Sequence, residues 1–118
     1  MFDFQNLKVY QKAREINKEI NEYIKRNHIL DPFLKNQLRQ ASIQIVINIA
    51  EGSGKDCKKD KARYYSISRE SVYECVSLIE LLYDEGSLAE KRFKVLLERY
   101  AELSKMLYGL IRSVNASI

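Results

Sequence analysis

Apolar side chains recur at steps of three and four residues in four successive segments of the chain. Residues spaced in this way lie on one face of an α-helix, which a folded protein buries against other elements. The last segment shows the pattern most clearly, with Phe93, Leu96, Tyr100, Leu103, Leu107, Leu110 and Val114. The spacing predicts four helices, over about residues 4–27, 32–51, 57–85 and 88–114.

Residues that start or stop helices separate the four segments. Asp31 followed by Pro32 predicts the start of the second helix, because Asp accepts hydrogen bonds from free N–H groups and Pro has none to lose. Three further breaks are predicted: Gly52–Gly54 after the second helix, Gly86 after the third, and a Ser87–Glu90 capping box before the fourth.

The composition supports a single helical domain. One Pro and four Gly in 118 residues supply too few turn residues for an all-β fold. A chain of this length forms one hydrophobic core, and short connections make neighbouring helices antiparallel. We therefore predict an all-α, up-down-up-down four-helix bundle.

The second segment is unusually rich in isoleucine. Ile43, Ile45, Ile47 and Ile49 alternate with other residues as in a β-strand, but no other segment offers a partner strand, so a helix is favoured. On a helix these residues cover nearly the whole circumference, which predicts burial on the outer side too. We expect the chain to form a homo-oligomer through Ile43 and Ile47; the alternative is a bundle core that is wider than usual.

The chain lacks the residue sets that most enzymes and metal sites need. Two Cys and one His cannot complete a tetrahedral zinc site. Gly52–Lys55 is similar to the end of a phosphate-binding loop, but Ile49 and Asp56 stand where that motif needs Gly and Ser or Thr. We expect no enzymatic activity, no cofactor and no metal.

The start of the chain gives no sign of export. Met1–Asn6 lacks the basic residues and apolar run of a signal peptide. No stretch approaches the roughly 18 apolar residues of a membrane span. We expect a cytoplasmic protein with no membrane partner.

Polar and small residues at helical spacing stand out on the second and third helices: Arg39, Asn48, Glu51, Gly52, Ser71 and Glu74. Polar groups inside a bundle need partners. We expect Glu74 to pair with Arg39 or Gln37, and Asn48 and Glu51 to bind groups near the start of the first helix. A role in structural specificity is favoured over ligand binding.

Basic residues cluster after the Gly-Ser-Gly sequence, in a chain of net charge +4. The cluster, here called the basic turn, consists of Lys55, Lys58, Lys59, Lys61, Arg63 and Tyr64. Lysines bind phosphates and tyrosines stack on bases, so this pattern is typical of nucleic-acid binding. Cations are also disfavoured at a helix start, which indicates a role besides helix stability. The alternative is an ordinary solvated helix start.

Three motifs resemble those of a known family. They are QLRQASI at 37–43 with NIAEG at 48–52, FxxLxVYxxA at 4–13, and SxxE at 71–74. They are similar to the proteins encoded in intervening sequences of bacterial 23S rRNA, also called S23 ribosomal proteins. The chain departs from the family pattern at two places: Gln40 stands where the family usually has Arg or Lys, and Gln44-Ile45-Val46 stands where it has a Ser-Ile-Pro-like stretch. These departures reduce the basic surface.

The resemblance implies a left-handed four-helix bundle in a ring-like homopentamer without enzymatic activity. It also implies a relation to accessory proteins of diversity-generating retroelements, which bind a reverse transcriptase and nucleic acid. The leading hypothesis is a non-catalytic protein that binds structured RNA, or DNA, through the basic turn. The alternative is a protein-interaction adaptor, such as an accessory subunit of a reverse transcriptase.

Overall fold

The chain folds into four α-helices preceded by a turn of 3-10 helix, in a computed structural model that describes residues 1–117. The 3-10 turn is Asp3–Asn6, and the helices are Lys8–Arg26 (α1), Pro32–Ser53 (α2), Lys58–Asp84 (α3) and Glu90–Ala116 (α4). Residues 1–117 contain no β-strand, so the predicted all-α class is confirmed. None of the four helices is both long enough and apolar enough to cross a membrane.

The first helix begins later than predicted. Leu7 has an extended backbone (φ −69°, ψ 126°) and separates the 3-10 turn from α1, so the prediction of a helix from Phe4 is wrong. The ring of Phe4 nevertheless contacts that of Tyr10 edge-on, with centroids 4.9 Å apart. The apolar spacing therefore continues across a break in the helix, which explains why spacing alone did not reveal it.

The second helix begins where predicted and ends two residues later. The Asp31 carboxylate accepts hydrogen bonds from the N–H groups of Phe33 (2.9 Å) and Leu34 (3.0 Å), as expected of an N-cap. At the other end the helix continues through Ser53, and Gly54 is the C-cap. The glycine at 52 therefore lies inside α2 and does not end it.

The end of α3 is a Schellman motif. Gly86 has φ +79°, its N–H donates to the carbonyl of Tyr83 (2.9 Å), and the N–H of Ser87 donates to that of Leu82 (3.0 Å). Gly is favoured here because other residues are strained at positive φ. Ser87 thus belongs to the end of α3, and Ala89 is the N-cap of α4, so the predicted capping box is wrong.

Each helix packs against two neighbours, and within residues 1–117 no Cα atoms of a diagonal pair of helices lie within 8 Å of each other. Between α2 and α3, Ser68 bonds to Ile45 and Lys61 bonds to Ser53. The residue numbers therefore increase along one helix as they decrease along the other. The same reversal holds for α3–α4 (Tyr83–Phe93, Arg69–Ser104) and for α1–α4 (Glu19–Arg99, Lys12–Glu102). These neighbours are therefore antiparallel, in a bundle of 46 × 25 × 21 Å.

Apolar residues of α2 lie on both its inner and its outer side. Ile45 and Ile49 are buried in the bundle core, whereas Ile43 and Ile47 remain 37% and 40% exposed. The strand alternative is excluded, because residues 32–53 are helical. One protomer therefore does not cover the outer side of α2.

Candidate nucleic-acid interface

The basic turn is positioned by a close approach of α2 to α3. Gly52 is buried, and a Cβ built on it would lie 2.8 Å from Cε1 of Tyr65 and 3.1 Å from Cβ of Tyr64. The Tyr65 hydroxyl lies 3.1 Å from that of Ser53. Only glycine leaves room for the two tyrosines, so Gly52 brings the start of α3 against the end of α2.

Two lysines of the basic turn bind backbone carbonyls at helix ends. Nζ of Lys61 donates to the carbonyls of Ser53 (2.7 Å) and Gly52 (3.4 Å), where the negative end of the α2 dipole favours a cation. Nζ of Lys58 donates to the carbonyl of Ser117 (2.8 Å), just beyond α4. Both lysines, predicted to bind nucleic acid, thus have a structural role here.

Two other cations of the basic turn flank an aromatic ring. Nζ of Lys55 lies 4.8 Å from the ring centroid of Tyr64, and Cζ of Arg63 lies 5.0 Å from it. Lys59 is exposed, one helical turn before Arg63. Lys55, Lys59, Arg63 and Tyr64 thus form a smaller cationic and aromatic cluster, called the Tyr64 cluster below.

The polar residues singled out by their helical spacing differ in burial. Arg39, Glu51 and Glu74 are exposed, whereas Asn48 and Ser71 are buried. No ion pair within residues 1–117 involves Glu74, so the expected pairing with Arg39 or Gln37 is not made. The expected pairing is wrong because Glu74 lies on the solvent-facing side of α3, beside the exposed Tyr73 and Ser77.

Asn48 binds within its own helix. Its Nδ2 donates to the backbone carbonyl of Gln44 (2.8 Å) and to the Gln44 side chain (3.0 Å). The side chain of Glu51 is exposed at the end of α2. Within residues 1–117, no side-chain hydrogen bond or ion pair joins Asn48 or Glu51 to the start of the first helix, so the expectation that they bind groups there is wrong.

Sequence reasoning missed the polar contacts that join helices. The buried Ser68 hydroxyl donates to the carbonyl of Ile45 (2.7 Å), linking α3 to α2, and the Ser42 hydroxyl donates to Oδ1 of Asn17 (2.8 Å), linking α2 to α1. The available signal was the position of Ser68 on the apolar stripe of α3. A hydroxyl on such a stripe needs a backbone acceptor.

Two titratable groups in the core, Cys75 and Tyr100, have raised pKa values. Burial raises the pKa of Cys75 to about 12 and the pKa of the adjacent Tyr100 well above its ordinary value. Neither group ionises near neutral pH, so neither serves there as nucleophile or base. Within residues 1–117, no three His, Cys, Asp or Glu side chains lie together in a way that could hold a metal ion.

The fold and the basic turn define a small four-helix protein with no catalytic grouping in its described residues. A model of the family described as 23S rRNA-intervening sequence protein matches residues 5–109. The chain belongs to this family, and the resemblance drawn from the sequence motifs is confirmed. Comparison with curated proteins gives no match.

A solved structure has the same fold. It is the 1.70 Å crystal structure of a protein of unknown function from the S23 ribosomal protein family of Bacteroides thetaiotaomicron VPI-5482. The TM-score is 0.81 at 21% sequence identity, covering 87% of this chain and 97% of that one. The likeness at this identity establishes the four-helix fold.

Proposed function

We propose that this protein is a non-catalytic RNA-binding protein that contacts RNA through the Tyr64 cluster. The observation that carries the proposal is the placement of two cations within about 5 Å of one tyrosine ring, beside the exposed Lys59. Cations and an aromatic ring together suit a phosphate backbone with an accessible base. Because the family is named for intervening sequences of 23S rRNA, RNA is the nucleic acid that we propose as the ligand.

On RNA binding, the cations of the Tyr64 cluster exchange the tyrosine ring for phosphates. Without RNA, the Lys55 ammonium and the Arg63 guanidinium lie against the Tyr64 ring. When RNA binds, a base stacks on the ring and the displaced cation turns to a phosphate. Lys58 and Lys61 keep their carbonyl partners and hold the helix ends in place.

The test compares charge reversals at the two ends of the bundle. Binding of a fluorescently labelled RNA hairpin is followed by anisotropy for the wild type, for Lys59→Glu/Arg63→Glu, and for the control Lys25→Glu/Lys91→Glu. The control makes the same change in net charge at the opposite end. We expect at least a tenfold loss of affinity for the first variant and less than a twofold loss for the control. Equal losses would contradict a localised site.

Self-association would strengthen this function. A homo-oligomer repeats the Tyr64 cluster around its axis, so several weak contacts act on one RNA. The resemblance implies a homopentamer, and we retain five copies as the expected number. Ile43 and Ile47, exposed on the outer side of α2, are the residues expected to join the copies.

A protein-interaction adaptor is the second candidate function. It is favoured by exposed apolar side chains around the start of α2: Ile29, in the connection before the helix, is 86% exposed, and Phe33, in its first turn, is 68% exposed. A mostly apolar interface responds little to salt, whereas phosphate contacts weaken steeply. Retention of a partner such as a reverse transcriptase at high salt would favour the adaptor.

A further inference from the structure

A long groove runs along the seam between α3 and α4. Two adjoining hollows of about 450 and 680 Å³ share Arg69 and Tyr73 and together form this α3–α4 groove. Tyr73 and Tyr108 stand in its walls and are 57% and 49% exposed. Exposed rings gathered in one groove indicate a binding site, whereas the same rings scattered over a surface would not.

The cations around Tyr108 repeat the arrangement found in the Tyr64 cluster. The guanidinium carbon of Arg69 lies 5.2 Å from the Tyr108 ring centroid, and that of Arg112 lies 5.8 Å from it. In the Tyr64 cluster, the two cations lie 4.8 and 5.0 Å from the ring centroid. The combination of cations and an aromatic ring that supports RNA binding at the Tyr64 cluster is therefore also present in the groove.

Arg69 holds the two rings of the groove in place. Its guanidinium carbon lies 5.2 Å from the ring centroid of Tyr73 as well as from that of Tyr108. Its Nη2 donates to the Tyr73 hydroxyl (3.2 Å), and its Nε donates to the carbonyl of Ser104 on α4 (3.2 Å). The rings therefore have fixed positions before a ligand binds, which lowers the entropy cost of binding.

The groove begins beside the Tyr64 cluster. Arg63 of the cluster and Ser66 of the groove are three residues apart, so they are neighbours on the surface of α3. From Arg63 to Tyr73 the rise along the helix is about 15 Å, at about 1.5 Å per residue. An RNA strand bound at the cluster therefore reaches both rings of the groove by continuing along α3.

The register of α4 brings a further cation to the same place. The bond from Lys58 to the carbonyl of Ser117 fixes the level of α4 against the start of α3. The bond from Arg69 to Ser104 fixes it again about three turns further along α3. In this antiparallel register, Arg112 is level with the Tyr64 cluster. Cations of both helices therefore border the end of the groove nearest the basic turn.

The remaining charges beside the groove differ between its two walls. Lys105 and Arg112 are exposed on α4 and form no ion pair within residues 1–117. The carboxylates that line the groove, Glu70 and Glu80, are on α3. A phosphate backbone is therefore expected along the α4 wall, where the cations lie, with its bases turned to the rings.

We propose that the α3–α4 groove binds unpaired nucleotides of the RNA that the Tyr64 cluster holds. This inference rests on the proposed RNA-binding function and specifies the kind of RNA. Bases stack on Tyr108 and Tyr73, while Lys105 and Arg112 contact phosphates. Neighbouring base pairs cover the faces of the bases in a duplex, so only an unpaired segment can stack on the rings. The preferred ligand is thus a hairpin with a single-stranded tail.

Two labelled RNA probes test the proposal. One is a blunt hairpin, and the other is the same hairpin with an unpaired uridine tail of about six nucleotides, made with the tail at the 5′ or the 3′ end. We expect one of the tails to increase the wild-type affinity, measured by anisotropy, about tenfold. Tyr73→Leu/Tyr108→Leu should lose this gain and bind the blunt hairpin as the wild type does. Lys59→Glu/Arg63→Glu should bind both probes more weakly.

Phe33→Leu is the matched control, because it replaces an aromatic ring, 68% exposed, at the opposite end of the bundle. It should keep the full gain from the tail. If Tyr73→Leu/Tyr108→Leu also keeps the gain, or if neither tail helps the wild type, the groove proposal is overturned and the Tyr64 cluster is unaffected. If the wild type binds neither probe, the proposed function is overturned together with the groove.

A fluorescent ring in the groove tests the contact directly. The chain contains no Trp, so Tyr108→Trp introduces a single indole that keeps a stacking face. The tailed hairpin should quench its fluorescence and the blunt hairpin should not, while Phe33→Trp should respond to neither. An indole in the groove that the tailed hairpin leaves unquenched would overturn the proposal. So would a lower mass of Tyr73→Leu/Tyr108→Leu than of the wild type in light scattering, because a second copy would then cover the groove.

Discussion

The Tyr65 ring lies so close to Gly52 that a Cβ at position 52 would come within 2.8 Å of Cε1 and 2.9 Å of Cδ1. The ring cannot easily withdraw, because it is buried and its hydroxyl is 3.1 Å from that of Ser53. The glycine of the Asn-Ile-Ala-Glu-Gly motif is therefore required by packing, since it lets α3 begin beside the last turn of α2.

Gly52→Ala is expected to destabilise the protein. Overpacking costs about 1–3 kcal/mol, and the higher helix propensity of Ala returns up to about 1 kcal/mol. We expect a net loss of about 1–2 kcal/mol in the free energy of unfolding, measured by urea denaturation. Gly109→Ala is the matched control, because a Cβ there meets nothing within 4 Å. It should stabilise α4 by about 1 kcal/mol, and equal effects at both glycines would argue against the packing role.

Removal of the Ser68 hydroxyl tests the buried link between α3 and α2. Ser68→Ala deletes the 2.7 Å hydrogen bond to the carbonyl of Ile45 and should lower the free energy of unfolding by about 1 kcal/mol. The exposed Ser113→Ala, in α4, serves as the comparison and should change it by less than about 0.5 kcal/mol. A Ser68→Ala protein as stable as the wild type would show that this bond contributes nothing.

Lys61 and Lys59 are two residues apart and should respond in opposite ways. Lys61→Met removes a cation from the carbonyls at the end of α2 and should cost about 0.5–1 kcal/mol of stability. Lys59→Met leaves stability nearly unchanged and should weaken RNA binding more than Lys61→Met does. Denaturation and anisotropy on the same two proteins check both expectations, and a reversed order in either measurement would refute the division of roles.

The buried Cys75 should make stability fall at high pH. Burial raises the pKa of Cys75 from its ordinary 9.0 to about 12 in the folded protein. Between these values the unfolded chain releases a proton that the folded protein keeps, so stability decreases as pH rises, by up to about 1.4 kcal/mol per pH unit. Urea denaturation at pH 8, 9 and 10 (roughly spanning this onset) should show a shallower decline for Cys75→Ala. Parallel declines would exclude Cys75 as the cause.

The sequence alone was sufficient for the helices and insufficient for the contacts between them. Apolar spacing and local capping residues such as Asp31 act within a few residues, so they predict helices and most of their ends. The spacing of apolar residues does not reveal a single extended residue such as Leu7, because the apolar positions continue across it. Whether Lys61 reaches the carbonyls at the end of α2, and whether Glu74 faces α2 or solvent, depends on how α2 and α3 are rotated against each other. That rotation is set by packing of the whole core, including Gly52 on Tyr65.

The salt dependence of RNA affinity tests the central claim, that the Tyr64 cluster binds phosphates. Each phosphate contact contributes about −0.7 to −0.9 to the slope of log K against log salt concentration. If Lys55, Lys59 and Arg63 each bind a phosphate, the wild-type slope between about 50 and 200 mM salt is about −2 or steeper. Lys59→Gln should make the slope shallower by about one unit. The same slope in both proteins would contradict phosphate binding by the Tyr64 cluster.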